Sequence, residues 1–451
     1  MCGILWDTTK SQPDREIGHR GIRSHRSVTP DGVLTHVRLP IVDLSLDSDQ
    51  PFEDERWVFA FVGELFNYKD FYSKEKSDSR AMFNLWRTNQ TSLMAIMDGF
   101  WAIVAYNKWS QQTHVVTDFL AKKPLYYHLP TGNICSEIKP LLCHGKTTFD
   151  EYYFSTVRKF GYCMNEHTFV NEVIKIPANA HWVISRTEPI KKLVCSRPLC
   201  PTNPAFIRSS IEKSVKDRVK ADVPISILLS GGLDSTIVFE LMKKHTTNFT
   251  VFHVHNNESD YLNYLKFPMG IKVREINTTE DIDASLSVNE GPVDLGSMLP
   301  QFSLHQAIRR YEPDTKVVIT GDGADELFGG YKRSMEYDSQ QSDIFDELVY
   351  YHLPRLDKMS MAFTMELRSP FLSRSVVESA MALKYYLRRN KNGLKMYFDD
   401  IIHPMILTRP KMPLKSKQVL EQKNWRDELQ SRFRRMMYER YGCRNTEGDP
   451  R

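Results

Sequence analysis

The chain has 451 residues, 41% of them hydrophobic and 26% charged, with a formal net charge of +4. This is a globular composition, and the length exceeds one ordinary core, so two or three domains are expected. So small a net charge gives no electrostatic case for a nucleic-acid partner, and no apolar run has the length of a membrane span.

Seven cysteines, an odd number with no CxxC pair, read as reduced thiols in a cytoplasmic setting. Cys195 and Cys200 have no second pair and no nearby histidines, so zinc is not expected.

The chain opens "MCGILW". A thiol at position 2 reads in two ways. It is a small strand residue tucked into a core, or Met1 is removed and Cys2 becomes an N-terminal nucleophile. Its own α-amine, with an ordinary pKa of about 7.7–8.0, would then act as base.

Up to about residue 190 the pattern is β-rich. "RWVFAFVGELF", "FWAIVAYN", "THVVTDF" and "HWVIS" are apolar or alternating runs of strand length. "SDSRAMFNLWRTN" reads as a helix with an acidic, cap-like start. "VCSRPLCPTNP" (194–204), with three prolines, reads as a linker.

From about 205 strands alternate with helices. "ISILL", "FTVFHVH", "IKVREI" and "KVVIT" are the strands; "TIVFELMKKH" and "LHQAIRRYE" are helical. Such alternation predicts a parallel sheet covered by helices on both faces. The part from about 343 reads as mostly helical. Its basic end, "RDELQSRFRRMMYERYGCR", reads as a solvated helix face because acidic and apolar residues interrupt it.

"ISILLSGGLDST" is the strongest signal. A strand ends at Leu229, and Ser230, Gly231 and Gly232 turn sharply into a helix beginning near Asp234. Glycines let backbone N–H groups approach an anion, and the helix N-terminus adds its positive end. Ser230, Ser235 and Thr236 offer hydroxyls to phosphates, while Asp234 suits a magnesium ion. "VVITGDGADELFGGY" repeats the theme. Both loops leave the carboxyl ends of strands, so Asp325 is expected to meet Asp234 across one magnesium–pyrophosphate. An acidic helix start is the alternative reading of Asp325.

"SGGLDST" resembles the signature of the PP-loop ATP pyrophosphatases. Together with "GDGADELFGGY", "RLDKMSMAFTMELRSPFL" and "RPKMPL", it makes residues 205–415 similar to the synthetase domain of the glutamine-hydrolysing asparagine synthetase family. The opening Met-Cys-Gly-Ile, "RLPIVDL", "GELFN", "SDS", "DGFWAIVAY" and "DFLAKKPLYY" resemble that family's glutaminase domain.

The resemblance implies two domains, α/β and α+β in class. Residues 2–193 would form an Ntn-hydrolase-like αββα sandwich. Residues 205–440 would form a doubly wound PP-loop sheet with a helical C-terminal part. It implies ATP and Mg²⁺ as cofactors, glutamine and aspartate (or another carboxylate) as substrates, and an ammonia tunnel between the sites. It implies no nucleic-acid or membrane partner, and it is compatible with a homodimer.

Carried over, Cys2 is the nucleophile and Gly63 supplies an oxyanion N–H. Arg38 holds the glutamine carboxylate, with Leu39 and Ile41 at the rim, Glu64 also in the glutamine site, and Asp78 on the ammonium. A bidentate Arg suits a carboxylate on physical grounds alone. Leu229, Val254, Thr320 and Gly321 line the adenosine site, and the stretch from Ser230 to Ser235 cradles pyrophosphate. Asp234 and Asp325 hold the metal, and Lys411 neutralises charge during adenylation. Asp322 stands where the family has a glutamate near the acyl group. Asp294 and Ser297 are the candidate acceptor-side contacts.

Several positions depart from the family. Val62 replaces the asparagine whose side chain donates to the oxyanion; losing one such donor costs about 10²–10³ in rate, so a weakened glutaminase is expected. Ile22-Arg23-Ser24 replaces a Pro-Asp segment, Thr117 an arginine, Ala121 a glycine and Ser373 an aspartate. The run after Lys411 lacks Ser-Asp-Gly. The alternatives are the same adenylating machinery acting on another carboxylate or amine, as in β-lactam or peptide cyclases, and a non-catalytic nucleotide-binding relative.

Overall fold

The computed structural model describes residues 2–11, 13–88, 97–194, 199–255, 259–278, 281–292, 295–331, 346–409 and 425–445. Strands of the N-terminal half are β1 (Gly3–Asp7), β2 (Arg23–Val28), β3 (Val33–Arg38), β4 (Phe52–Glu53), β5 (Trp57–Leu65) and β6 (Gly99–Asn107). They continue with β7 (Gln112–Thr117), β8 (Tyr126–His128), β9 (Ile134–Cys135), β10 (Val173–Lys175), β11 (Ala180–Ile184) and β12 (Lys191–Val194). Two sheets result, ordered β10-β8-β9-β1-β3-β2 and β12-β11-β7-β6-β5-β4.

Strand β5 explains the layering. Its period of two sends Val58, Ala60 and Val62 into a core shared with Cys2, Ile4 and Trp6. The intervening Trp57, Phe59 and Phe61 face Met82, Phe83 and Trp86 of the helix Asp78–Thr88. On the far side of the first sheet, Leu5 and Val37 belong to a core with Phe154 of the helix Glu151–Phe160 and Phe433 of the helix Trp425–Tyr441. The layers run helix, sheet, sheet, helix, as the αββα sandwich requires.

The C-terminal half holds β13 (Ile225–Leu228), β14 (Phe249–Val254), β15 (Lys272–Ile276), β16 (Val317–Ile319) and β17 (Glu366–Arg368). They form one parallel sheet in the order β15-β14-β13-β16-β17. One face, with Val251, Val317 and Ile319, packs on Ile211 and Val215 of the helix Ile207–Arg218 and Ile237 of the helix Leu233–Met242. The other, with Phe252 and Val318, packs on Leu304 and Ile308 of the helix Leu295–Tyr311. The sheet is doubly wound. Its strand order reverses between β13 and β16, and both glycine-rich loops leave there, at the crevice where such sheets bind ligands.

The described C-terminal part is mostly helical, as expected, and it also contributes strand β17, which the sequence did not announce. Three residues are too few to carry a period, and two of them, Glu366 and Arg368, are charged and buried. Pairing with β16, from Val317↔Glu366 to Ile319↔Arg368, makes this segment a strand. The helices Leu353–Met361 and Arg374–Met381 flank it. The polar β2, lying at a sheet edge, was hidden from sequence reading for a similar reason.

Buried ion pairs join the halves. Asp357 accepts from Arg20 Nη2 at 2.7 Å and from Lys123 Nζ at 3.0 Å. Glu290 accepts backbone N–H groups of Ile138 at 3.0 Å and Lys139 at 2.8 Å, and pairs with Lys358 at 2.9 Å. No helix among the described residues is long and apolar enough to cross a membrane.

Candidate active sites

Cys2 lies just before β1, buried, with its Sγ receiving the Leu39 N–H at 3.5 Å. Arg20 Nε holds the Cys2 carbonyl at 3.1 Å. Burial pushes the thiol pKa up, opposed by the Leu39 N–H and the Arg38 charge. A pocket beside it is lined by Arg38, Leu39, Ile41, Gly63, Glu64 and Asp78. All six residues expected to bind glutamine therefore meet at the thiol.

Two of them behave in ways the sequence does not announce. Arg38 Nη1 donates to Asp49 Oδ1 and to the Ser45 carbonyl, each at 2.7 Å, and Nη2 to the Asp43 carbonyl. Both ends of its guanidinium are engaged by the loop that follows β3, so the carboxylate expected there from the sequence would have to share it with Asp49. Gly63 sits at φ +137°, and a Cβ there would lie 1.9 Å from the Phe100 carbonyl oxygen. No other residue fits so close a strand approach. Val62, one position earlier, is only 1% exposed and offers no donor.

The C-terminal half also reaches this pocket. Glu366 of β17 lines it, and Arg368 donates to Glu366 at 2.6 Å and contacts Glu64 Oε2 at 3.1 Å. Three buried carboxylates thus gather near one guanidinium. Burial, then the neighbouring Asp78 charge, pushes Glu64 well above the usual carboxylate range, with Arg368 opposing. Burial likewise pushes Asp78 up to about 6, against N–H donation from Leu65 at 3.1 Å and Ser79 at 2.7 Å. Neither Glu366 nor Arg368 was singled out from sequence; only the "MELRSPF" likeness pointed near them.

The first glycine-rich loop follows β13. Gly231 takes φ +72°, and Gly232 caps the helix Leu233–Met242. Ser230 and Ser235 hydroxyls lie 3.1 Å apart, the Gly232 N–H donates to Ser230 Oγ at 3.2 Å, and Arg409 donates to the Gly231 carbonyl at 2.7 Å. Thr236 is fully buried, its hydroxyl without a hydrogen-bond partner among the described residues. Leu229 and Val254, at the ends of β13 and β14, are buried beside it in sequence and sheet order.

The second loop packs directly on the first. A Cβ on Gly321 would lie 2.8 Å from the Ser235 nitrogen. Thr320 donates its hydroxyl to Asp322 Oδ2 at 2.6 Å; burial raises the Asp322 pKa while Thr320 and Arg355 lower it. Asp234 and Asp325 converge as expected, with the Lys391 ammonium paired to both. Sequence reasoning missed Lys391, which lies far along the chain in an unremarkable "RRNKNG". Ser297 is half-buried near the start of the helix Leu295–Tyr311. Lys411 and Asp294 lie outside the described residues.

A family model described as asparagine synthase matches residues 207–347 and 336–443, and one described as a glutamine amidotransferase domain matches residues 1–193. The chain belongs to the asparagine synthase family. That membership makes it, by class, a glutamine-dependent carbon–nitrogen ligase. A glutamine-hydrolysing asparagine synthetase of Zea mays is 26% identical over 446 residues, covering 87% of this chain and 71% of the maize protein. One from Arabidopsis thaliana is 25% identical, covering 85% of this chain and 70% of its own length. The amidase chyE of Penicillium rubens is 29% identical, covering 73% of this chain and 55% of its own length.

Proposed function

We propose that this asparagine synthase family member makes asparagine. Residues 2–193 release ammonia from glutamine, and residues 205–440 activate aspartate with ATP. Cys2 Sγ attacks the glutamine amide carbon, expelling ammonia and leaving a thioester that water cleaves to glutamate. The Gly63 N–H, in the lining of the pocket that holds Cys2, is the expected donor to the developing oxyanion. An aspartate β-carboxylate oxygen attacks the α-phosphorus of ATP and pyrophosphate leaves. Ammonia then attacks the acyl carbon and AMP leaves.

The residues present fit a divalent ion, because Asp234 and Asp325 from two separate loops converge on one cation, the Lys391 ammonium. Magnesium bound there would neutralise the pyrophosphate as it departs.

The observation that carries the reading is β17, which touches both sites. Its Glu366 and Arg368 side chains stand at the glutamine pocket, while the Arg368 carbonyl accepts the Thr320 N–H at 3.0 Å, at the root of the second nucleotide loop. The test is product analysis from ATP, Mg²⁺, aspartate and glutamine labelled with ¹⁵N in its amide. Labelled asparagine, AMP and pyrophosphate are expected; ADP would overturn the PP-loop assignment. Cys2→Ala should abolish the glutamine-dependent reaction and spare the one driven by added ammonia. Equal loss with both nitrogen sources would make Cys2 structural.

A second reading is favoured by Val62 and by the likeness to amidase chyE. Here the same adenylating half serves another carboxylate or amine, and ammonia release is vestigial. Adenylation in a panel of carboxylates, with aspartate inert, would select it.

A further inference from the structure

We propose that Lys391 is a positioning residue of the nucleotide site: its ammonium holds Asp234 and Asp325 together until the magnesium of incoming Mg–ATP replaces it. This rests on the nucleotide reading given above. Two carboxylates aimed at one point repel each other unless a cation lies between them. Here Lys391 Nζ pairs with Asp234 Oδ2 and with Asp325 Oδ1, from the loops after β13 and β16. The lysine side chain is only 8% exposed. A six-coordinate magnesium needs its ligand oxygens at about 2.0–2.1 Å. The same two oxygens cannot hold an ammonium and a metal between them at once.

The surrounding backbone is built to deliver this ammonium. Asn390 and Lys391 are consecutive non-glycine residues in the left-handed region, at φ +51° and +58°. Their N–H groups donate to the carbonyls of Gly329, at 3.1 Å, and Phe328, at 3.0 Å, both at the exit of the second nucleotide loop. A Cβ on Gly330 would lie 1.9 Å from Asp325 Oδ1 and 2.4 Å from Lys391 Cε. Glycine at 330 thus leaves the space in which carboxylate and lysine meet. A strained turn, two backbone hydrogen bonds to one loop and a side-chain-free neighbour all serve one placement.

The lysine therefore keeps the metal ligands preassembled without metal. Bare divalent ion has to displace a paired ammonium, whereas Mg–ATP brings phosphates that can receive it. Metal and nucleotide should then enter together.

Manganese binding to the full-length, nucleotide-free protein, read by the EPR signal of free Mn²⁺, tests this. Wild type should bind weakly and Lys391→Met at least about tenfold more tightly, a difference a merely structural lysine would not produce. Equal or weaker binding by a natively folded variant overturns the proposal. Should Lys391→Met not fold, melting of wild type decides: Mg²⁺ alone should leave Tm unchanged, and Mg–ATP should raise it. A rise with Mg²⁺ alone equal to that with Mg–ATP overturns the exchange. If Mg–ATP stabilises wild type while Lys391→Met binds Mn²⁺ no better, only the role of Lys391 falls. If Mg–ATP gives no stabilisation and pyrophosphate exchange is absent, the nucleotide reading falls with it.

Discussion

Val62 and the Cys2 thiol share one packed core between two sheets, and this frames what a substitution there can do. An amide placed at 62 enters apolar surroundings made by Ile4, Val58 and Ala60. Val62→Asn should lower stability by about 1–3 kcal/mol, seen in urea unfolding. If the amide reaches the oxyanion instead, glutaminase kcat rises tenfold or more, about 1.4 kcal/mol, with KM unmoved. With valine in place, wild type should use ammonia markedly better than glutamine at saturation. Asp78 sets a pH dependence. Its carboxyl titrates at about 6 in the fold against an ordinary value of 3.8. The folded state binds that proton more tightly than the unfolded chain, so this contribution to stability is present below pH 3.8 and is lost as pH rises through 6. On the proposed glutamine reading binding runs the other way, because an ionised Asp78 would pair with the substrate ammonium. Glutamine KM should therefore fall as pH rises through about 6, while ammonia-dependent turnover lacks this limb.

Strands β5 and β6 meet at two glycines. A Cβ on Gly63 would strike the Phe100 carbonyl, and one on Gly99 would lie 2.0 Å from the Glu64 oxygen. Gly63→Ala adds a clash and an unfavourable φ, together about 3 kcal/mol or more, and should lose glutaminase activity with the fold, as circular dichroism and melting would register. Elements of this kind were legible in sequence because their signals are local. The alternation in β5, the run-then-glycine pattern after β13 and β16, and the cap-like start of the helix Asp78–Thr88 each lie within a dozen residues. Grouping Cys2, Arg38 and Asp78 took the family likeness, since nothing local ties 2 to 78. β17 was illegible because three residues, two charged, become a strand only through pairing with β16. Lys391 and Glu366 were missed for a related reason. Their partners lie 157 residues away for Lys391–Asp234, and a lone lysine or glutamate carries no mark of where it will fold.

Across the whole molecule, Asp357 is the tie between halves. It is 2% exposed and neutralises Arg20, which also holds the Cys2 carbonyl, and Lys123. Asp357→Ala takes the carboxylate from buried Lys123 and leaves Arg20 with Glu137 alone, and should cost about 3–5 kcal/mol in denaturant unfolding, with glutamine-dependent activity falling further than ammonia-dependent activity. The tail adds a second tie. The helix Trp425–Tyr441 returns to the N-terminal half, where Phe433 meets Phe169 with ring centroids 5.0 Å apart. Just beyond it, the Phe149 N–H donates to the Arg444 carbonyl at 2.7 Å, and the Arg444 N–H to the Thr147 carbonyl at 3.0 Å. A polypeptide in which the helix Trp425–Tyr441 closes the first layer does not come apart when its middle is cut. Protease cleavage at a site engineered into the mostly exposed stretch 199–203 should yield two fragments that travel as one particle through gel filtration and separate only in denaturant. The N-terminal fragment made alone would show its uncovered Phe154 and Phe169 to water and aggregate, so a glutaminase half of this protein has to be studied with its own distant tail.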